Sequence, residues 1–271
     1  MKSIRNAIYE GADQRSSLID LEIPDNYNGK LLLFAHGYMG FKDWGAWNLM
    51  QAHFSKLGYA FCKFNFSHNG GTIINGIDFP DLEAFSRNTY SYEVLDLLAV
   101  LDHLEKELNP LPEIHLIGHS RGGGIVLLCA QDHRVRSIIT LAAISSISKR
   151  FSDQKMIEQW EAEGIRYHRN QRTLQDMPHR FEQVLDFRKN ADQLNIQKAC
   201  QQLQKPTLII HGAQDTSVPV SEGEDLSEWL NSSLQLIPDT DHVFGAKQPW
   251  TNDELPAKLL EACHLIERFL A

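Results

Sequence analysis

The chain alternates short apolar runs with longer segments of helical apolar spacing. "KLLLFAHG" (30–37) is a continuous apolar run that ends in glycine, as expected of a strand buried on both faces of a sheet. Residues 90–108 place apolar side chains three and four positions apart, which predicts a long amphipathic helix. Strands that alternate with helices of this length predict an α/β fold: a mostly parallel, twisted sheet covered by helices on both faces.

The same pattern predicts eight strands and five helices. The strands are residues 4–9, 16–23, 30–37, 59–66, 113–118, 135–141, 206–211 and 233–237. The helices are residues 43–57, 90–108, 121–131, 221–230 and 254–270. We expect the first two strands to pair antiparallel at the edge of the sheet.

Residues 149–203 interrupt this alternation. They contain no strand signal, yet they hold ten of the chain's 26 basic residues and several aromatic ones. We therefore expect a helical insertion between two strands, in a core domain formed by residues 1–148 and 204–271. The insertion is either a solvated decoration or a cap over a site. The second interpretation is favoured, because ligands in such sheets bind beyond the carboxyl ends of the strands.

Composition narrows the functional classes. The 271 residues are 42% hydrophobic and 23% charged, as in an ordinary globular protein, and the net charge of -9 argues against nucleic acid or anionic membrane as a partner. No apolar run approaches the ~18–20 residues of a membrane span, and the first residues lack a signal peptide's apolar region. The four cysteines are widely spaced along the chain, which favours reduced thiols over disulfides or a zinc site. We expect a cytoplasmic protein without membrane insertion; its oligomeric state stays open.

"EIHLIGHSRGGG" (113–124) carries the first chemical signal. Ser120 falls at the junction of a predicted strand and a predicted helix. A turn that sharp strains the serine backbone and exposes its hydroxyl, while Gly118 and Gly122 remove side chains that would otherwise collide. The pattern Gly-x-Ser-x-Gly in this context predicts a nucleophile elbow; the alternative is a serine that only caps the helix.

A serine nucleophile needs a base and a group that orients the base. In this fold the acid and then the histidine follow the serine along the chain. Asp215 comes after the strand "PTLIIHG", and His242 comes after "LQLIPD", so both are expected at the same sheet edge as Ser120. Asp239 and Asp241 are the competing acids. Asp241 is disfavoured, because a neighbour in sequence has difficulty reaching the imidazole.

An oxyanion needs two hydrogen-bond donors. The amide of Arg121 lies in the first turn of the predicted helix, where it has no partner within the helix. The second donor is expected in the loop "AHGYMG" after strand 30–35, and we choose the amide of Tyr38. The loss of one such donor typically slows an enzyme about 10²- to 10³-fold.

Other polar residues support two interpretations each. Asn65, His68 and Gly70 either form an active-site loop or only shape a turn. The Arg121 side chain either binds a substrate carboxylate or, as we favour, covers the helix terminus.

His115 and His119 lie ~13 Å apart along a strand, so they cannot share a metal ion and are expected to be structural. The arginines of the insertion either attract an anionic substrate or, more simply, form a solvated face. They are Arg166, Arg169, Arg172 and Arg180.

"HGYMG", "GHSRGG", "HGAQDTSVP" and "DTDHVFG" occur in that order over nearly the whole chain. With these motifs the chain resembles the α/β-hydrolase superfamily, in its bacterial esterase, dienelactone-hydrolase-like or serine-aminopeptidase-like branch. The resemblance implies the α/β-hydrolase fold and a Ser120–His242–Asp215 triad. It does not fix the substrate, because this superfamily hosts many chemistries.

These observations predict a carboxylesterase-like serine hydrolase that cleaves small carboxylic esters with water. Neither a metal nor an organic cofactor is required. Alternatives with the same triad are a small-peptide hydrolase, a thioesterase, an acyltransferase and a perhydrolase. A non-catalytic binding protein that kept the fold is the alternative of a different class.

Overall fold

The computed structural model describes residues 2–271, which are built around one eight-stranded sheet. The ten strands are β1 (Lys2–Glu10), β2 (Ser16–Ile23), β3 (Lys30–Ala35), β4 (Ala60–Phe64), β5 (Glu113–His119), β6 (Val135–Leu141), β7 (Ile165–Arg169), β8 (Asp176–Arg180), β9 (Thr207–Gly212) and β10 (Leu234–Ile237). The sheet has the order β1-β2-β4-β3-β5-β6-β9-β10, and β7 and β8 form a separate two-stranded sheet. Strands β1 and β2 are antiparallel to their neighbours, and the pairings from β4 to β10 are parallel.

Among the described residues, nine α-helices cover the sheet or lie in the insertion. They are α1 (Trp47–Lys56), α2 (Leu82–Ser86), α3 (Tyr90–Glu107), α4 (Arg121–Leu128), α5 (Gln154–Glu163), α6 (Glu182–Lys189), α7 (Ile196–Gln202), α8 (Val220–Leu230) and α9 (Ala257–Leu270). Within the described residues, none of these helices is long and apolar enough to cross a bilayer.

The continuous apolar run of β3 serves both layers of the core. Leu31 and Leu33 face one layer, where they belong to the same cluster as Leu97 of α3. Leu32 and Phe34 face the other layer. All of these side chains are fully buried, as the sequence predicts for a strand between two layers of helices.

The predicted elements of the core are all present. The eight predicted strands and five predicted helices each correspond to an observed element, and the edge pair is antiparallel as expected. The differences lie at element ends; the helix predicted from residue 43, for example, begins at Trp47. The short helix α2 is an element that the apolar pattern does not predict.

The insertion is not helical throughout. Besides helices α5, α6 and α7, residues 149–203 contain the antiparallel pair β7 and β8, which the sequence pattern does not predict. Strand β7 has the sequence "IRYHR", whose polar residues hide the alternation that marks a strand. Strand β8 is held by its surroundings, because Met177 is fully buried against Phe41, Phe79 and Phe85 of the core.

The parallel strands bring the motif-bearing loops to one edge of the sheet. Ala35, at the end of β3, pairs with Gly118 of β5. Gly212, at the end of β9, pairs with Ile237 at the end of β10. The four loops that follow these strands therefore open on the same edge.

Candidate active site

Ser120 adopts the strained backbone that the sequence predicts. It joins β5 to α4 with φ 56° and ψ -120°, a conformation that non-glycine residues rarely adopt. Its amide donates to the carbonyl of Leu141 at 2.9 Å, and its own carbonyl accepts from the amides of Gly123 at 3.0 Å and Ile144 at 3.2 Å. These bonds on both sides hold the strained residue in place.

The two predicted glycines lie where a side chain has no room. A Cβ atom on Gly118 would clash with the backbone of Gly122, and a Cβ atom on Gly122 would clash with the carbonyl oxygens of Ala35 and His36. The close approach of α4 to β5 and to the end of β3 therefore depends on both glycines.

Asp215 and His242 are hydrogen-bonded to each other. The Nδ1 atom of His242 lies 2.7 Å from Oδ2 of Asp215. The other carboxylate oxygen accepts from the amides of Ser217 at 2.8 Å and Val218 at 2.9 Å. Burial alone would raise the pKa of Asp215, but hydrogen bonds from His211, His242 and Val218 outweigh it and hold that pKa well below its usual range.

This geometry separates the candidate acids. Asp241 accepts hydrogen bonds from the amides of Val243 at 3.2 Å and Gly245 at 3.0 Å, so it stabilises its own turn. Asp239 is exposed. Asp215 is the acid whose carboxylate contacts His242, and a donating Nδ1–H leaves Nε2 of His242 as a proton acceptor.

The loop after β3 lies directly beside Ser120. A Cβ atom on Gly37 would come within 2.9 Å of Cβ of Ser120. Tyr38 follows Gly37, and Arg121 is the first residue of α4, so its amide precedes the hydrogen-bond ladder of the helix. Both residues line a cavity together with Ser120.

The side chain of Arg121 is held by aromatic rings and a carboxylate. Its guanidinium lies 4.5 Å from the ring centroid of Tyr38 and 4.6 Å from that of Tyr90. It also forms a 3.2 Å ion pair with the buried Glu93. These contacts favour the structural interpretation, although the guanidinium still reaches the cavity wall.

The loop after β4 is a structural element. Asn65 accepts from the amide of Lys42 at 2.7 Å and donates to the carbonyl of Gly76 at 3.1 Å. His68 is buried, with Nδ1 2.9 Å from Oγ of Ser67, and the loop turns at Gly70 with φ 91°. None of Asn65, His68 and Gly70 lines either cavity beside Ser120.

Two cavities meet at Ser120 and His242. The cap-side cavity, about 390 Å³, extends beneath the insertion. Its wall includes Tyr90, Arg121, Arg150, Phe151, Trp160, Arg166 and His179. The loop-side cavity, about 490 Å³, extends along the loop after β3. Its wall includes Met39, Trp44, Trp47 and Val243. An extended substrate could therefore place one part on each side of the serine.

A family model described as alpha/beta hydrolase fold matches residues 30–192, which is more than half of the chain. The chain belongs to the alpha/beta hydrolase family. No curated protein sequence matches it.

Solved structures show the same fold in other alpha/beta hydrolases. A putative hydrolase from Agrobacterium vitis is 19% identical, with a TM-score of 0.74 over 100% of this chain and 99% of that one. Est1E from Butyrivibrio proteoclasticus, with ferulic acid bound, is 21% identical, with a TM-score of 0.69 over 98% and 100% of the two chains. A dienelactone hydrolase from Anabaena variabilis is 17% identical, with a TM-score of 0.64 over 100% and 98%.

Three buried histidines of this alpha/beta hydrolase lie within the sequence motifs, but the sequence does not predict their hydrogen-bond partners. His36 donates from Nδ1 to the carbonyl of Gly37 at 2.8 Å, His119 donates to the carbonyl of His242 at 2.9 Å, and His211 donates to that of Val218 at 2.9 Å. Nε2 of His211 also lies 3.3 Å from the carboxylate of Asp215. Their signal in the sequence is a histidine at or just after a strand end, next to a loop with a candidate catalytic group. Among the described residues, no group of three or more potential ligands is placed to hold a metal ion.

Proposed function

We propose that this alpha/beta hydrolase is a serine esterase that cleaves small carboxylic esters through an acyl-enzyme at Ser120. The observation that carries the proposal is the 2.7 Å hydrogen bond between Asp215 and His242 beside a strained serine at the carboxyl edge of a parallel sheet. A buried carboxylate on Nδ1 orients the imidazole and leaves Nε2 to act as a base. The overall fold, shared with an esterase and a dienelactone hydrolase, supports the same reaction class.

The reaction follows from these positions. Oγ of Ser120 attacks the ester carbonyl carbon, and its proton passes to Nε2 of His242. The amides of Tyr38 and Arg121 donate to the resulting oxyanion. Collapse of this intermediate breaks the bond to the alkoxide, which takes the proton from His242 and leaves as the alcohol.

Water then completes the cycle. It attacks the acyl-enzyme as His242 removes one of its protons, and collapse of the second intermediate returns that proton to Oγ of Ser120. The carboxylic acid is released. Each proton is transferred through His242, so the proposed cycle needs no metal ion or organic cofactor.

We assign residues 149–203 to a cap over the core domain of residues 1–148 and 204–271. Trp160, Arg166 and His179 of the insertion line the cap-side cavity, which supports this division. We also propose a cytoplasmic location, which is supported by four buried cysteines that are all in the free thiol form.

Covalent labelling tests the nucleophile directly. A fluorophosphonate probe should label the wild-type protein at Ser120 and leave Ser120→Ala unlabelled. Turnover of short 4-nitrophenyl esters should fall by at least about 10⁴-fold in Ser120→Ala and about 10⁴-fold in Asp215→Asn. Asp239→Asn and Asp241→Asn are matched controls that should retain wild-type turnover. An unreactive wild-type protein would contradict the proposal, and turnover of aminoacyl amides with inert esters would change the substrate class.

A further inference from the structure

The cap-side cavity has a positively charged wall in a protein of net charge -9. Arg121, Arg150 and Arg166 line it together with His168 and His179. Among the described residues, no aspartate or glutamate lines this cavity. A ligand inside therefore meets guanidinium groups without a competing carboxylate on the wall.

Two of these arginines form ion pairs with carboxylates that lie behind the cavity wall. Arg121 pairs with Glu93 at 3.2 Å, and Arg150 pairs with Glu222 at 2.6 Å. Both carboxylates have only 4% of their side-chain surface exposed, so they lie behind the wall. Because each guanidinium is paired with a carboxylate, Arg121 and Arg150 add little net positive charge to the cavity.

Arg166 is different, because within residues 2–271 it has no carboxylate at ion-pair distance. Its contacts are the Sδ atom of Met156 at 3.2 Å and the ring of Trp160, whose centroid lies 5.9 Å away. A guanidinium at a cavity wall with no anionic partner is suited to bind a planar carboxylate through two parallel hydrogen bonds.

The other arginines of the hairpin segment 165–180 each form an ion pair with a carboxylate. Arg169 pairs with Asp176 at 3.0 Å, Arg172 with Asp78 at 3.0 Å and Arg180 with Glu83 at 2.6 Å. Among the described residues, Arg166 is therefore the arginine of this segment that has no carboxylate partner, and it is exposed at the cavity wall.

A second polar group is left without a partner on the same wall. His179 is buried, and Nε2 lies 2.6 Å from the hydroxyl of Tyr38. Its Nδ1 atom has no hydrogen-bond partner among the described residues. Burial, reinforced by Arg121 and Arg166, lowers the pKa of His179 to about 3, so the ring is neutral. A buried ring nitrogen without a hydrogen-bond partner raises the free energy of the folded protein, and a hydrogen bond from a polar ligand atom would lower it again.

We propose that the cap-side cavity binds a carboxylate on the substrate and that Arg166 determines this specificity. Together with the proposed esterase reaction, on which this substrate class rests, the preferred substrates are small esters that carry a free carboxylate. The carboxylate lies in the half of the ester, acid or alcohol, that occupies the cap-side cavity.

Matched ester pairs test the preference and identify the half. Mono(4-nitrophenyl) adipate and its methyl ester differ in one charge on the acid side. 4-Acetoxybenzoate and its methyl ester differ in one charge on the alcohol side. For at least one pair, kcat/KM of the wild type should be about tenfold to hundredfold higher for the anion, as expected for a hydrogen-bonded charge pair. The preference should shrink as ionic strength rises from about 0.01 M to about 1 M.

Variants of two arginines in one hairpin assign the effect. Arg166→Gln should lower the anion-to-neutral ratio at least tenfold, and Arg166→Lys should keep part of it. Arg180→Gln, which removes a charge outside both cavities, should keep the wild-type ratio. Equal rates for both pairs, or an unchanged ratio in Arg166→Gln, would overturn the proposal while leaving the esterase assignment intact.

A binding measurement keeps the two proposals separate. In calorimetry, Ser120→Ala should bind at least one anionic ester about tenfold more tightly than its neutral partner, and Ser120→Ala/Arg166→Gln should not. This result requires no turnover, so it decides the carboxylate site even if the wild type hydrolyses neither ester. Equal affinities for anion and neutral ester in Ser120→Ala would refute the site.

Discussion

At the scale of single residues, the candidate site depends on groups that perform no chemistry. His36, His119 and His211 each donate to a carbonyl in a loop that carries a proposed functional group. Burial lowers the pKa of His36 to about 4 and that of His119 to about 3, so both stay neutral and can donate one hydrogen bond without a charge to solvate. The proposed triad of Ser120, Asp215 and His242 is predicted from motif and spacing. The hydrogen bonds of His36, His119 and His211 are not predicted, because they depend on which carbonyl the folded loop presents.

His119 provides the test of this positioning role. Its ring lies 4.8 Å from that of His242 and 5.2 Å from that of Trp47, and Nε2–H donates to the carbonyl of His242. His119→Leu removes the donor, so the His242 loop should shift and kcat should fall about tenfold, since small misplacements of catalytic groups are expensive. His119→Gln keeps an amide donor at a similar position and should recover most of the activity.

His115 is the matched control on the same strand. It is buried and its Nδ1 lies 2.7 Å from Oγ of Ser137, but it lines neither cavity. His115→Leu should lower the melting temperature without changing kcat or the rate of fluorophosphonate labelling. Wild-type kinetics in His119→Leu would show that the hydrogen bond to His242 serves stability alone.

At the scale of elements, strand β8 connects the insertion, our proposed cap, to the loop of the proposed oxyanion donor. Nε2 of His179 meets the hydroxyl of Tyr38. The carbonyl of His179 accepts from Nε1 of Trp160 in α5 at 2.8 Å. Met177 anchors the strand in the core. The insertion therefore contacts the Tyr38 loop through the His179–Tyr38 pair and through the packing of Met177.

Tyr38→Phe breaks this pair but keeps the ring beneath Arg121 and leaves the Tyr38 backbone amide in place. We expect kcat for a neutral ester to fall about threefold to tenfold with little change in KM, because the hydroxyl contacts His179 and orders the loop. Removal of the hydrogen bond should also reduce the free energy of unfolding by about 1 kcal/mol.

A double-mutant cycle supplies the control for Tyr38→Phe. With a neutral ester, His179→Phe alone should lower kcat to a similar extent. Tyr38→Phe/His179→Phe should be no slower than the slower single variant, because both substitutions remove the same contact. If the losses in kcat of the two single variants add up in the double variant, the coupling is contradicted. Urea unfolding of the same variants gives the corresponding losses of stability.

The sequence predicts the elements whose burial is evident from their own pattern of apolar residues. The run "KLLLFA" of β3 and the helical spacing of α3 report two-sided and one-sided burial directly. Strand β7 has four exposed residues of five, and β8 is buried by α2 and the aromatic residues beside it. Their structure depends on contacts distant in sequence, and for this reason local pattern does not predict the hairpin.

At the scale of the whole molecule, strands β2 and β4 and the loop after β3 together hold a buried group of charges. Lys63 of β4 is fully buried and pairs with Asp20 of β2 at 2.6 Å and with Asp43. Lys42 pairs with the same two carboxylates, at 2.8 Å and 2.5 Å. Lysine within the apolar run "AFCKF" gives no sign of these partners, because they come from two other segments of the chain. Such a cluster is stable only while every charge keeps its partner.

Asp20 makes this cluster sensitive to acid. Burial would raise its pKa, but the charge of Lys63 and hydrogen bonds from Asn6, Lys42 and Lys63 lower it from 3.8 to about 2. The unfolded chain therefore binds the proton first as pH falls, so the contribution of Asp20 to stability is complete above about pH 4 and is lost towards pH 2. A shift of this size corresponds to about 2 kcal/mol.

Urea unfolding at pH 5 and pH 2 measures this contribution. Between these pH values the wild type should lose about 2 kcal/mol more free energy of unfolding than Asp20→Asn, which cannot ionise. Asp192→Asn, at an exposed ion pair with Lys198, should keep the wild-type pH dependence. Because Asp20→Asn leaves two buried lysines short of a partner, it should cost about 3–5 kcal/mol at pH 5. If that prevents folding, carbon NMR of the Asp20 carboxyl in the wild type decides instead, and a pKa near 4 would refute the cluster's role.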